Sequence, residues 1–399
     1  MAPMPSTKPI RILGLAHARW ERLAQPFAGS ESVAVSFFHE LHAQGHSVTL
    51  RSCALTRAET ALLALWCAAR YRRRDRVFVT QNTRAWQIKS RRAARHVAER
   101  ADVTDIVLLD NGLCAPYMDA PPRKPYAIFT DYNFALRHNH PYFDAPAPWA
   151  DDEEKATLLQ WERDLYHRAR HLFVVSEHLR ASMIADYGVP PGRVTAVGRG
   201  APIPIPETAL PRDWTAQRLL FIGEPNSFER KGGPELLQAF ARVRAALPGA
   251  TLTMVGPSPA QVGDQPGVRA LGRIHDRDAL AALLAESTCF VLPTRQEPFG
   301  LSFIEAMAYR LPVVATHVDA VPEIVSDGET GLLVPPLDPD ALARALVQVL
   351  SKPDRAAAMG EAGYARVRER YTWPVVVAQI DAVLAGLALQ PTTETVPQI

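Results

Sequence analysis

The chain places two carboxylates, Glu297 and Glu305, on either side of a glycine in the run Leu292-Pro-Thr-Arg-Gln-Glu-Pro-Phe-Gly-Leu-Ser-Phe-Ile-Glu-Ala-Met-Ala. A strand is expected to end near Leu292, and a helix to begin near Gly300 to Ser302. The first amides of a helix are unpaired and carry partial positive charge, which suits a diphosphate. Phe299, Gly300 and Leu301 would offer those amides, and Gly300 lets the backbone approach a ligand closely. A carboxylate accepts two hydroxyls in fixed geometry, as a ribose or hexose presents them. Two readings of Glu305 stay open at this point. It could take ribose hydroxyls, or it could close a capping box with Ser302.

A second cluster, Glu229-Arg230-Lys231-Gly232-Gly233-Pro234, follows an expected strand at Leu219 to Ile222. Pro234 stands where a first-turn proline belongs. Arg230 and Lys231 could clamp a diphosphate and stabilise the charge of a leaving group, or form a solvated basic turn. Gly256-Pro257 and Gly272-Arg273-Ile274 are further turns after expected strands that could meet a base. No GxGxxG run opens a helix and no Walker A run is present, which argues against a dehydrogenase or a P-loop enzyme.

These loops need strands that end together. Arg11 to Leu15, Val48 to Leu50, Val77 to Val79, Ile106 to Leu109, Tyr126 to Phe129, His171 to Val175 and Val194 to Val197 read as strands, with helical periodicity between several of them. After Pro202, Pro204 and Pro206, a linker candidate, a second alternating series runs to Leu350. The pattern predicts two α/β, doubly wound, Rossmann-like domains facing across a cleft, with ligands outside the strands' carboxyl ends. The domains are expected at 1–203 and 204–373. Apolar residues after Trp373 have helical spacing, giving a helix over about 374–390, and 391–399 reads as a disordered tail.

The 399 residues are 47% hydrophobic and 22% charged, an ordinary globular balance. Cys53, Cys67, Cys114 and Cys289 form neither a CxxC pair nor a zinc cluster. No apolar run approaches the length of about 18 residues needed to span a bilayer, and no secretory leader is read, so a cytoplasmic protein is expected. The net charge of +2 is unevenly spread, because Arg70 to Arg100 holds eleven bases against Asp75 and Glu99. That stretch could lie on an anionic membrane surface at the inner face, receive an anionic acceptor, or simply be solvated. No nucleic-acid module is recognisable. Asp151-Asp152-Glu153-Glu154 reads as a solvated acidic loop and His138-Asn-His140 as no ligand set, so no metal site is expected.

The spacing Glu297 to Glu305 is an E-x7-E arrangement, and with its context it resembles glycosyltransferase family 4, a family of retaining enzymes. The likeness continues through Arg230-Lys-Gly, Leu271-Gly-Arg, Pro312-Val-Val-Ala-Thr, Pro322-Glu-Ile-Val, Asp327-Gly-Glu-Thr-Gly-Leu-Leu-Val-Pro-Pro and Asp338-Pro. The front half is similar at Gly29-Ser-Glu-Ser, Val174-Val-Ser-Glu and Tyr187-Gly-Val-Pro-Pro-Gly-Arg-Val. The resemblance implies a GT-B fold, with the nucleotide-diphosphate sugar donor on the second domain and the acceptor on the first. It implies that Glu305 meets the ribose, that Lys231 meets the diphosphate, and that Glu297 with the Phe299–Leu301 amides holds the transferred sugar. Gly29 and Ser30 would belong to the first loop, and the last helix would return to the first domain. No cofactor is implied.

The sequence departs from that pattern in places. Gly223-Glu224 stands where Gly-Arg is usual, so Arg230 is read as a substitute. Thr130-Asp131-Tyr132 stands where many members carry a histidine, so Asp131 is read as holding the sugar. Asp319-Ala320 replaces a Gly-Gly pair. The expected reaction is metal-independent transfer of a hexosyl group from a UDP- or GDP-sugar to an acceptor that is anionic or lipid-linked. The alternatives are a nucleotide-sugar epimerase of the same fold and a non-catalytic nucleotide-sugar binder.

Overall fold

A computed structural model of the chain describes residues 9–16, 30–73, 75–110, 124–142 and 147–388. The described residues divide into two compact units. One runs to Pro202, apart from Tyr142, and resumes at Trp373. The other spans Ile203–Thr372.

The first unit holds a six-stranded sheet of β1 (Arg11–Ala16), β2 (Ser47–Ser52), β3 (Ile106–Asp110), β4 (Tyr126–Thr130), β5 (His171–Val174) and β6 (Val194–Ala196), in the order β2-β1-β3-β4-β5-β6. Every pairing is parallel. Strands β3, β4 and β5 are near-continuous apolar runs buried along their length, as a parallel sheet covered on both faces requires. The terminal helix Trp373–Ala388 packs in this unit against the helix Ser30–Ala43. Asp381 takes a 2.8 Å contact from His46 Nε2, whose Nδ1 faces the Ile10 amide. The Trp373 ring lies where a side chain at Gly200 would be, since an added Cβ would come within 2.4 Å of it.

The second unit holds β7 (Arg218–Ile222), β8 (Thr251–Val255), β9 (Val268–Gly272), β10 (Cys289–Leu292), β11 (Val313–Thr316) and β12 (Gly331–Val334), again all parallel, in the order β12-β11-β10-β7-β8-β9. The chain reverses direction across the sheet between β7 and β10, and ligands of open parallel sheets sit outside the strand ends at such a switch point.

Two local expectations change and one open reading closes. Val77 to Val79 is not a strand but part of the helix Arg76–Gln81, started by the Asp75 carboxylate on the Phe78 amide. A three-residue apolar run has no period of its own, and the cap decides it. The acidic run is not a free loop. Asp151 caps the helix Asp152–Arg168 and the next three acids fill its first turn, where the helix dipole favours them. Ser302 and Glu305 form no capping box, because the helix Leu301–Ala308 starts from Gly300. The tail at 391–399 lies outside the described residues.

One glycine fixes the loop geometry of the second unit. Gly232 has φ +73°, and a Cβ there would sit 1.9 Å from the Pro293 carbonyl oxygen. Gly263 has φ +74° with nothing within 4 Å of its missing Cβ. Gly263→Ala is therefore expected to cost about 1 kcal/mol through backbone strain alone, and Gly232→Ala about 2–4 kcal/mol, read by urea unfolding. Equal costs would remove the close contact as the reason for the glycine.

Candidate functional site

After β7 the chain makes a tight turn. Ser227 exchanges hydrogen bonds with the Glu224 backbone, and the Lys231 amide donates to the Ser227 carbonyl at 2.8 Å. Because Gly232 presses on Pro293 just beyond β10, this turn is held against the loop Pro293–Gly300. The Arg295 amide donates to the Arg230 carbonyl at 2.8 Å, and the Arg230 guanidinium reaches the Gln296 carbonyl at 3.4 Å. Within that frame Lys231 Nζ forms an ion pair with the Glu297 carboxylate, both side chains being largely buried. The pair joins the two strands at the switch point of the sheet.

The backbone of Glu297 is held as well. Its amide donates to the Asp319 carboxylate at 2.8 Å. Asp319 has φ +44°, a left-handed backbone that aspartate tolerates better than most residues. The Asp319-Ala320 departure thus keeps a backbone shape that glycine would supply and adds an acceptor that glycine lacks.

The loop then enters the helix Leu301–Ala308 through Gly300, at φ +114°, with no side-chain cap. The amides of Phe299, Gly300, Leu301 and Ser302 donate to no acceptor among the described residues. Amides without an acceptor at a helix start are hydrogen-bond donors suited to an anion. The Phe299 ring is turned away onto Tyr371, with ring centroids 5.9 Å apart.

The Glu305 carboxylate, one turn into the helix, has no hydrogen bond or ion pair among the described residues. Burial raises its carboxyl to about 7, opposed by the more distant Arg277 guanidinium. Since it caps nothing, the structural reading left open by spacing is removed, and what remains is a carboxylate with unused acceptor capacity. Gly256 follows β8 at φ +109°, and its missing Cβ would sit 2.1 Å from the Gly223 carbonyl oxygen. Arg273, exposed, and Ile274, half-buried, follow β9. The residues singled out in the back half therefore stand at the carboxyl ends of β7, β8, β9 and β10, which are consecutive in the sheet apart from order.

In the first unit, Asp131 follows β4 and pairs with Arg199, which follows β6. Asp110 ends β3 nearby, and its carboxyl is raised to about 7 by burial, with Arg199 opposing and Asp131 reinforcing the shift. Glu162 props the same loop. Its carboxylate accepts the Phe134 amide at 3.0 Å and the hydroxyls of Tyr166 and Tyr187, while burial raises it to about 7 against those bonds. Gly29 lies outside the described residues. Ser30 is the first residue of its helix, and its side chain is likewise outside them.

Asp110, Arg199 and Glu162 were not singled out from sequence, and Asp319 was noted only as a departure from a Gly-Gly pair. For Arg199 a signal existed, because Gly198-Arg-Gly200 follows β6 at the same carboxyl edge. For the others no local pattern distinguishes a site residue from an ordinary polar one. The basic stretch is also less free than its composition suggests. Lys89 is buried with Nζ donating to the Thr80 carbonyl at 2.6 Å, Arg73 holds the carbonyls of Ala147 and Trp149, and Arg92 pairs with Glu59. No group of three metal-ligating side chains lies together among the described residues.

Comparison with known proteins bears on this arrangement. Residues 27–203 match the family described as Glycosyltransferase Family 4, and residues 216–352 match Glycosyl transferases group 1. The chain is 28% identical to MMP alpha-(1->4)-mannosyltransferase of Mycolicibacterium hassiacum over 74% of this chain and 73% of that one. It is 36% identical to phosphatidyl-myo-inositol mannosyltransferase of Mycobacterium tuberculosis, over 43% of this chain and 47% of the relative, so that match spans about half of the relative's length. Among solved structures, sucrose-phosphate synthase from Thermosynechococcus elongatus superposes with a TM-score of 0.65 at 19% identity, over 94% of this chain and 99% of that one. The UDP-forming alpha,alpha-trehalose-phosphate synthase from Burkholderia vietnamiensis gives 0.66 at 16%, over 97% and 99%. At those identities the likeness speaks for the fold. The chain belongs to glycosyltransferase family 4 and is a glycosyltransferase of GT-B fold.

Proposed function

We propose that the protein transfers a hexosyl group, with retention of anomeric configuration, from a nucleotide-diphosphate sugar to an anionic or lipid-linked acceptor. The observation that carries this reading is the set of four free amides at Phe299–Ser302 beside the Lys231–Glu297 pair. A diphosphate on those amides would draw the Lys231 ammonium to itself, and Glu297 would then be released to accept hydroxyls of the transferred sugar. Arg230 adds charge from the adjoining turn. Glu305 takes the ribose, and Gly256, Arg273 and Ile274 frame the base. In the first unit Asp131 takes the sugar-holding place of the usual histidine.

A mannosyl donor is favoured, since the named relatives are mannosyltransferases and one from Corynebacterium glutamicum, 32% identical over 39% of this chain, is GDP-mannose-dependent by its name. The acceptor oxygen attacks from the face the nucleotide leaves. Its bond to the anomeric carbon forms as the bond to the phosphate oxygen breaks, and the departing phosphate takes the acceptor's proton. Lys231, Arg230 and the amides stabilise the charge that builds on the leaving diphosphate. A cytoplasmic site of action fits buried Cys53, Cys67 and Cys289, all free thiols.

Screening UDP, GDP, ADP and their sugars by thermal shift identifies the donor, because a ligand bound to the native state raises the melting temperature. GDP-mannose is expected to give the largest shift, and shifts with no nucleotide would sink the reading. Lys231→Ala is expected to lower kcat by roughly a hundredfold or more, whereas near-normal turnover would refute its role. Activity is expected to persist in EDTA, and its loss would overturn the metal-free mechanism.

Glu305 predicts a pH dependence. Its carboxyl sits at about 7 in the free protein, so it is largely protonated below that pH. Ribose hydroxyls donate to the ionised form and favour it. Donor affinity is therefore expected to fall by up to about tenfold per pH unit below about 7, and the fall should vanish in Glu305→Gln. Titration calorimetry across pH checks both, and a Gln variant with the wild-type profile would reject the assignment.

A further inference from the structure

The helix Arg57–Tyr71 is apolar on two opposite faces. Leu63 and Cys67 point inward to a cluster with Leu55, Phe78, Val79 and Ala85. On the other side Ala58, Ala61, Leu62, Leu65 and Ala69 recur at helical spacing and are all exposed. Leu62 is 66% exposed and Leu65 67%, high values for large apolar side chains. No charged residue occurs between Glu59 and Arg70. Glu59 itself is engaged, as its carboxylate caps the helix at Thr56 and pairs with Arg92 at 2.6 Å. A surface helix normally shows water a polar face, so a continuous apolar stripe calls for an occupant.

The border of the stripe says which. From residue 57 to 91 the exposed charged side chains among the described residues are arginines, Arg57, Arg70, Arg72, Arg76, Arg84 and Arg91, while the Asp151 and Glu154 carboxylates act on Tyr71 from the start of the helix Asp152–Arg168. Arg84 lies with its guanidinium 4.5 Å over the Trp66 ring, on the flank of the stripe, and Arg70 lies 5.5 Å over Tyr71. Apolar side chains rimmed by cations and amphipathic aromatics match the layering of a bilayer interface with anionic headgroups. A second copy of this chain is a poorer fit, because two-fold pairing of the patch would bring the same arginines together.

We propose that this face docks on an anionic bilayer, with Leu62 and Leu65 entering the acyl boundary and Arg70, Arg72 and Arg84 at the headgroups. Among the described residues no helix is long and apolar enough to cross a membrane, and this contact is peripheral. It goes beyond the reading of the reaction and is tested without substrate, so either can fail alone.

The test is flotation of the full chain with phosphatidylcholine vesicles, with and without phosphatidylglycerol, at low and high salt. The chain is expected to float with the anionic vesicles only and less so at high salt. Leu62→Ser/Leu65→Ser should lower the partition by at least about tenfold, and Arg70→Glu/Arg84→Glu by about thirtyfold, both with wild-type melting temperatures. Equal binding to neutral vesicles, no effect of the leucine pair, or no flotation at all overturns the proposal. A concentration-dependent dimer broken by the leucine pair, without flotation, assigns the face to a second copy instead. If the leucine pair unfolds, Leu65→Cys carrying an environment-sensitive dye replaces it. Its emission should shift to the blue on anionic vesicles, and an unshifted spectrum overturns the proposal.

Discussion

Lys231 and Glu297 are 66 residues apart, and what brings them together is a missing atom. The place where Gly232 would carry its Cβ is taken by the Pro293 carbonyl, so the loops after β7 and β10 lie backbone against backbone. In this strand order β7 and β10 are neighbours on which the chain turns opposite ways, and their following loops diverge unless something holds them. The contact at Gly232 holds them. It delivers an ammonium to a carboxylate where both are largely shielded from water. A lone charge there would be costly, whereas each partner compensates the other. The free amides at the start of the Leu301–Ala308 helix depend on the same contact, because the loop that aims them is the one pressed on Gly232.

The sequence showed the parts of this arrangement that are local. Glu297 and Glu305 are eight residues apart on one loop and helix, and the glycines of the tight turns are visible as glycines. The alternation of strands and helices also survives, because buried parallel strands are continuous apolar runs. What was not visible depends on pairs distant in the chain. Nothing near Glu297 announces that Asp319 will hold its amide, and nothing near Arg199 announces Asp131. Val77–Val79 was misread because three apolar residues fit either a strand or a turn of helix, and the Asp75 cap is a weaker signal than the run it precedes. Ser302 with Glu305 was ambiguous for a related reason. The motif fits a helix start at Ser302, while the chain starts its helix at Gly300, whose left-handed backbone no other residue adopts as cheaply.

In the first unit the same logic produces a different charge pattern. Asp131, Arg199 and Asp110 meet at the carboxyl edge of β3, β4 and β6, two acids around one base. A neutral histidine beside a sugar would donate one hydrogen bond and accept another. The Asp131 carboxylate accepts from the Arg199 guanidinium. In the proposed reading of Asp131 the donor side of the exchange comes from elsewhere, and the Asp110 carboxyl, raised to about 7, is able to hold a proton at neutral pH. Glu162 under the loop keeps Phe134 and Ala135 in place by accepting the Phe134 amide and by accepting the Tyr187 hydroxyl, which itself accepts the Ala135 amide. Asp131 is thus carried on a braced loop rather than a loose one.

The groups of the proposed donor site are compensated in two ways. Lys231 is neutralised by Glu297, and Glu305, with no partner, is relieved of its charge by a raised affinity for a proton. Both arrangements are provisional in the proposed reaction. A diphosphate brings negative charge to Lys231 and to the four amides, and hydroxyls bring hydrogen-bond donors to both carboxylates. The groups that oppose one another in the free protein would then each face the ligand. Because Lys231 and Glu297 face each other and Glu305 is able to hold a proton, the proposed ligand would replace interactions instead of supplying missing ones. In the proposed reaction much of the binding energy of the diphosphate would be offset by breaking the Lys231–Glu297 pair. That offset falls on the ground state, and Lys231 recovers its full effect as negative charge grows on the departing phosphate, which is where catalysis needs it.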